Sequence, residues 1–157
     1  MIILGLDPGF ARLGYGVIEK RKRSLEHIAH GVIETSPVQT HMARLLHIEK
    51  MLMRILKQYQ PEIVAVEELF MYKNVKTVMK VGEARGVIML TLGKQKKEAR
   101  EFTPLQVKQA LTGYGRADKG QIQQMAQSIL HMSQIPDSDD AADALAVAIC
   151  CAHTFRK

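Results

Sequence analysis

Ile2-Ile3-Leu4-Gly5-Leu6-Asp7-Pro8-Gly9 is the stretch whose reading decides the fold. Its short apolar run makes a buried strand, Ile2 to Asp7, and Pro8-Gly9 turns the chain. Asp7 closes that strand at its C-terminal end. An acid there is costly, because a carboxylate forced against a core must be protonated, paired or bound to metal. Taken alone, Asp-Pro-Gly is equally a plain turn.

Three further acids repeat the pattern. Glu67 ends Ile63-Val64-Ala65-Val66, and Asp140 and Asp143 open the run Ala144 to Cys150. Glu67 and Glu68 are neighbours on or just after a strand, so alternation lets at most one of them join Asp7. A solvated strand end accounts for either. Asp140 and Asp143 are three apart on a helix and share one side. Helix capping and the helix dipole account for Asp139. Asp143 is flanked by alanines and apolar residues and is too deep for a cap. Four such carboxylates suit hard, oxygen-seeking Mg2+, or Mn2+. Two ions about 4 Å apart can activate a water and stabilise the leaving oxygen of a phosphoryl displacement.

Composition fits that chemistry. The 157 residues fit one domain, 1–157, with a substantial core; 46% are hydrophobic and 24% charged. The net charge is +6, from 22 basic and 16 acidic residues. With four acids neutralised by metal, the remaining surface carries about +10, which attracts polyanions, nucleic acid first. A basic isoelectric point also simply aids solubility. The longest uninterrupted apolar run, Ala144 to Ala152, is too short to span a membrane. Met1 to Leu4 has no basic leader, so no signal peptide is expected. Adjacent Cys150 and Cys151 cannot easily bridge on one helix and lack a CxxC partner. A reducing, cytoplasmic setting is expected.

Outward from the first strand, Gly9, Gly14 and Gly16 punctuate a turn and a second strand, Gly14 to Glu19. A basic turn and a third strand, Leu25 to Glu34, follow. Helical periodicity covers Met42 to Tyr59, and Pro61 stops it. A long helix is expected from about Asn74 to Leu92, then a strand around Arg100 to Phe102. Thr103-Pro104 caps a helix to Leu111, Asp118 caps another to His131, and Pro136 to Asp139 begins the last. Three early strands and then alternating helices and strands predict an α/β layered domain with a mixed sheet. The nine methionines read as core filler, and His131 and His153 as ordinary surface or helix-end residues.

Gly5-Leu6-Asp7-Pro8-Gly9, Ala65-Val66-Glu67-Glu68-Leu69-Phe70-Met71 and Asp140-Ala141-Ala142-Asp143-Ala144-Leu145 closely resemble the RuvC family of bacterial Holliday-junction resolvases. Gly82-Glu83-Ala84-Arg85-Gly86 and Gln106-Val107-Lys108-Gln109 extend the resemblance over nearly the whole chain. It implies a ribonuclease-H-like fold with a five-stranded mixed sheet flanked by helices. It implies a homodimer making paired, symmetric, metal-dependent nicks in four-way junction DNA during recombination and repair, leaving 5′-phosphate and 3′-hydroxyl ends. By it the catalytic and metal-holding acids are Asp7, Glu67, Asp140 and Asp143, with two Mg2+ ions (or Mn2+) per site. Some relatives carry His at the last acidic position, where this chain has Asp143. A branch-migration motor of the RuvA and RuvB type is implied as a partner.

Lys73, Lys76 and Lys80 recur at helical spacing just past Glu67. They make either a solvated helix face or, beside carboxylates, a phosphate-contacting stripe. Lys108 and Lys119 match family positions near the site and the DNA backbone, and Arg116 lies in the loop between them. An aromatic residue is usually core, but the resemblance places Phe70 against bases at the junction centre, with Tyr72 as companion. Gly82 and Gly86 pack tightly on the chain's own sheet or, by the resemblance, in the dimer interface. Three rival readings remain: a ribonuclease-H-like nuclease acting on ribosomal RNA, an actin-like ATP hydrolase, and a junction-binding module without catalysis.

Overall fold

The computed structural model describes residues 1–22, 24–69 and 75–155, with residues 75–77 described as helix backbone alone. The elements run β1 (Ile2–Asp7), β2 (Arg12–Lys20), β3 (Leu25–Glu34), α1 (His41–Tyr59), β4 (Ile63–Glu67), α2 (Val75–Lys94), β5 (Glu98–Phe102), α3 (Pro104–Thr112), α4 (Lys119–Ile129) and α5 (Asp139–Thr154). The five strands form one sheet in the order β3-β2-β1-β4-β5. β1 to β3 make an antiparallel meander, while β4 and β5 join parallel to β1. This is the ribonuclease-H-like mixed sheet expected above, with helices on both faces.

Strand alternation builds two cores at once. Leu4 and Leu6 of β1 and Val64 and Val66 of β4 point into a cluster with Ile48 and Leu52 of α1 and Ile88 and Leu92 of α2. Ile3, Ile63 and Ala65 point the other way, into a cluster with α3, α4 and the apolar length of α5. Asp7 and Glu67 share the parity of this second set. Both therefore emerge on the face covered by α5.

The even-numbered residues of β2 explain how α5 lies. Arg12, Gly14, Gly16, Ile18 and Lys20 all face it. A side chain on Gly16 would stand 2.7 Å from Leu145 Cδ2, and one on Gly5 would stand 2.7 Å from the Ala148 amide nitrogen. Gly5 and Gly16 are opposite one another in the β1–β2 ladder, so they form a flat floor for the helix backbone. Lys20 Nζ donates to the carbonyls of Ala152 and Phe155 at 2.5 and 2.6 Å, fastening the C-terminal end of α5. Arg12 reaches the N-terminal end.

Several boundaries differ from the sequence reading, each for a local reason. β2 begins at Arg12 because Arg12 already pairs with Glu34 of β3. α5 begins at Asp139, after Ser138 in extended backbone, and Pro136 precedes it buried in the connecting turn. α4 ends at Ile129, before His131 takes a left-handed φ of 51°. The methionines are not core filler as a set: Met51, Met89 and Met132 pack partly buried, whereas Met42, Met53, Met79 and Met125 are exposed. The exposed ones lie on the outer faces of helices, where no further layer covers them. Cys150 and Cys151 are buried and free. Among the described residues, no helix is long and apolar enough to cross a membrane.

Replacing Gly5 by Ala should cost about 3 kcal/mol or more, because the clash is with helix backbone rather than a movable side chain. Gly93→Ala on α2, where nothing lies within 4 Å of the new methyl, should be neutral or stabilising by up to about 1 kcal/mol. Urea unfolding of the two variants checks this; equal midpoints would rule out the close approach of α5.

Candidate active site

In the β1–β4 ladder Leu6 pairs with Val66. The next residues, Asp7 and Glu67, leave it side by side. Their carboxyl groups interact directly, and both are held above their ordinary values. Burial, reinforced by the negative charge of Asp143, pushes Asp7 up to about 6. Burial, followed by the charge and hydrogen bond of Asp7, pushes Glu67 up to about 8. The Glu68 amide donates to the Phe102 carbonyl at 2.8 Å, prolonging the β4–β5 pairing, and Glu68 falls on the opposite parity. Alternation thus selects Glu67 for the cluster.

α5 brings Asp143 over this pair. Burial raises its pKa, opposed by Lys119, whose Nζ stands 3.3 Å from Asp143 Oδ2. Lys119 also reaches Asp139 at 3.2 Å. Burial lowers the Lys119 pKa, but Asp143 and Asp139 outweigh it and hold the ammonium charged. Lys108 and Lys119 line a cleft of about 240 Å³ together with Glu67 and Asp143, over apolar Val107, Ile122 and Ala146. The capping box of Asp118 with Gln121 fixes the start of α4, and so fixes Lys119, the first residue of that helix.

Asp140 takes a different position. Its charge still raises Asp7, but its Oδ2 accepts from Arg12 Nε at 2.6 Å. Arg12 also holds Glu34 at 2.9 Å and the Ser138 hydroxyl at 3.1 Å. Asp143 and Asp140 both act on Asp7, but they take different cations: Lys119 holds Asp143 and Arg12 holds Asp140.

The donor set is all oxygen and suits a hard divalent cation. Among the described residues, however, no three carboxylate, imidazole or thiol groups stand ready to hold a metal ion as they are placed. Lys119 lies against Asp143 and Arg12 against Asp140, and a divalent cation fits these oxygens by taking the place of protons on the raised carboxyl groups.

Of the other predicted contacts, Lys108 is half-buried in the cleft and Arg116 is exposed in the α3–α4 loop. Lys80 is exposed, with Nζ 5.8 Å from the Phe10 ring centre. Phe70, Tyr72 and Lys73 lie outside the described residues, as does the Lys76 side chain. Sequence reading missed Arg12, whose even parity with Gly14 and Gly16 was the available signal. It also missed Phe10, three residues past Asp7, which stacks on His41 at 4.7 Å and carries the Arg44 guanidinium at 4.1 Å.

A mixed sheet with carboxylates at the ends of its two central parallel strands, and lysines facing them, defines a ribonuclease-H-like nuclease class. The family model described as crossover junction endodeoxyribonuclease RuvC matches residues 3–151. A relative of that name from Thermosipho melanesiensis is 51% identical, covering 99% of each chain. Thermus thermophilus RuvC superposes with a TM-score of 0.89 at 34% identity, covering 98% of this chain and 94% of that one. The same protein solved in complex with Holliday junction substrate gives 0.89 at 31% identity, with the same coverage. The chain belongs to the RuvC family.

The raised carboxylates set a pH signature. Their folded pKa values exceed the ordinary ones, so the folded state binds more protons than the unfolded one between about pH 4 and 8. Without metal, stability should therefore fall as pH rises through that window. In chelator at pH 8.5, Asp7→Asn should raise the melting midpoint by about 3 °C, the scale of roughly 1 kcal/mol in a chain of this size. At pH 5 the gain should shrink, and added Mg2+ should stabilise only the parent. Calorimetric melts at the two pH values read this; a variant less stable than the parent at pH 8.5 contradicts the crowded-carboxylate account.

Proposed function

We propose that residues 1–157 form one nuclease domain that resolves four-way DNA junctions, with Asp7, Glu67, Asp140 and Asp143 holding two Mg2+ or Mn2+ ions. What supports this reading is the direct interaction of Asp7 with Glu67, both of them feeling Asp143 and Lys119. Family membership makes the chain a Holliday-junction-resolving, divalent-metal-dependent endonuclease. Bound divalent ions would supply Lewis-acid stabilisation of the scissile phosphate and a lowered pKa for the attacking water. The protein's own residues do the rest. Asp7 and Glu67, at the ends of adjacent strands, would hold the ions in a fixed place beside the cleft. Lys119 and Lys108 face it across the cleft and offset the charge that develops. Val107, Ile122 and Ala146 exclude water on that side, which strengthens those interactions. Lys80 and Arg116, with Lys73 and Lys76, track phosphates, and Phe70 and Tyr72 meet unstacked bases.

Paired nicks need two sites related by the junction's two-fold symmetry, so the working unit is a homodimer. One stripe of α2 supports this. Met79, Gly82, Gly86 and Leu90 follow helical spacing; the two large side chains are 64% and 58% exposed, and the space over both glycines is open. A second copy of α2 fits there, backbone close to backbone. The cuts fall in strands of like polarity and leave 5′-phosphate and 3′-hydroxyl ends. A branch-migration motor of the RuvA and RuvB type delivers the junction. The buried, unbridged Cys150 and Cys151 suit a cytoplasmic setting.

Asp7→Asn should abolish cutting of a synthetic four-way junction in Mg2+ while junction binding persists; full activity of that variant would end the assignment. Gly86→Arg should shift the protein to a monomer in sedimentation analysis and convert paired nicks to unpaired ones. An unchanged dimer would move the interface elsewhere.

A further inference from the structure

Arg12 is the best-connected cation at the site, and the activity proposed above gives it no task. Its three guanidinium nitrogens take three partners: Nε on Asp140, one terminal nitrogen on Glu34 and the other on Ser138. Two of these are acids, yet the side chain remains 49% exposed and open to the solvent from which DNA arrives. Ser138 holds the N-cap position of α5, but its hydroxyl makes no capping bond and accepts from Arg12 instead. Arg12 thus joins the first turn of α5 to the sheet edge at Glu34. The consequence is specific: the Asp140 carboxylate is spent on Arg12 rather than turned to the other acids.

Resting on the metal-holding role of the four acids, we propose that Arg12 is a latch coupling DNA binding to metal loading. In the free protein the guanidinium occupies Asp140 and withholds that carboxylate from a metal. An arriving backbone phosphate offers Arg12 a bidentate anion of equal charge. Arg12 exchanges Asp140 for that phosphate, and Asp140 turns to the metals. No bond is made or broken in the exchange; one ion pair replaces another. The latch discourages a free protein from loading metal away from DNA. Linkage makes the effect reciprocal: metal tightens junction binding by the factor by which the junction tightens metal binding.

Calorimetric titration with Ca2+, a hard oxygen-seeking probe, tests this on the full chain, alone and bound to a four-way junction whose strands are checked intact afterwards by gel. In the parent, the junction should tighten Ca2+ about tenfold, within the usual range of coupling between sites. In Arg12→Gln, affinity without DNA should rise toward the DNA-bound value, so that the ratio of the two falls at least about threefold. Arg12→Lys, which keeps the charge but loses the fork, should give an intermediate ratio. A change of charge alone would shift both affinities together and leave the ratio unchanged, which overturns the latch. A lower DNA-free affinity in Arg12→Gln also overturns it, because Arg12 would then be positioning Asp140 for metal. Absence of Ca2+ binding even to the parent–junction complex, or binding that survives Asp7→Asn, would count against the metal-site reading itself.

Discussion

Everything at the site follows from the close approach of α5 to the sheet. A helix ordinarily packs on strands through a layer of side chains, about 10 Å from them. Gly5, Gly14 and Gly16 remove that layer, and the backbone at Asp140, Ala144 and Ala148 settles almost on β1 and β2. The small residues of α5 match this from the other side: Ala141, Ala142, Ala144 and Ala148 are fully buried. Side chains that would have been a layer apart are now in reach of one another. Asp143 touches the field of Asp7 and Glu67 because nothing larger than hydrogen lies beneath the helix. Lys20 and Arg12 anchor its two ends, on the carbonyls of the last turn and on the acid of the first.

That approach creates an electrostatic debt in a protein that is otherwise basic. Asp7 and Glu67 feel each other and Asp143 in a half-buried space, where low dielectric strengthens repulsion. The molecule relieves it with raised carboxyl pKa values, an ammonium from Lys119 on Asp143 and a guanidinium from Arg12 on Asp140. Each of these cations is a weaker partner for oxygen than a divalent ion. This chemistry favours a divalent cation, and the cost in stability is what a catalytic centre commonly carries. The basic residues around it serve twice, first as internal counterions and then as hands for phosphate.

Much of the arrangement was legible along the chain. Apolar runs ending in acids marked β1 and β4, and two-residue alternation predicts which faces Asp7 and Glu67 choose once the faces are known. The three-residue spacing of Asp140 and Asp143 gave a shared side of a helix, but not the divergence of their partners. That divergence depends on Arg12, more than a hundred residues earlier. The methionines misled because composition does not distinguish a buried apolar residue from one on an outer helix face. α1 and α2 carry apolar residues on both sides, and only the sheet decides which side is inward.

By itself the sequence determined the elements, their caps, and the residue types competent for metal-assisted phosphoryl chemistry, because these rest on local propensity and periodicity. It also determined family, since three motifs keep their order and spacing. Tertiary structure alone decided which acids meet, which one Arg12 holds, and which cations balance them. The physical reason is that electrostatic energy depends on distance through space, and in this fold residues 7, 67, 119 and 143 become neighbours only when a helix rests on glycines.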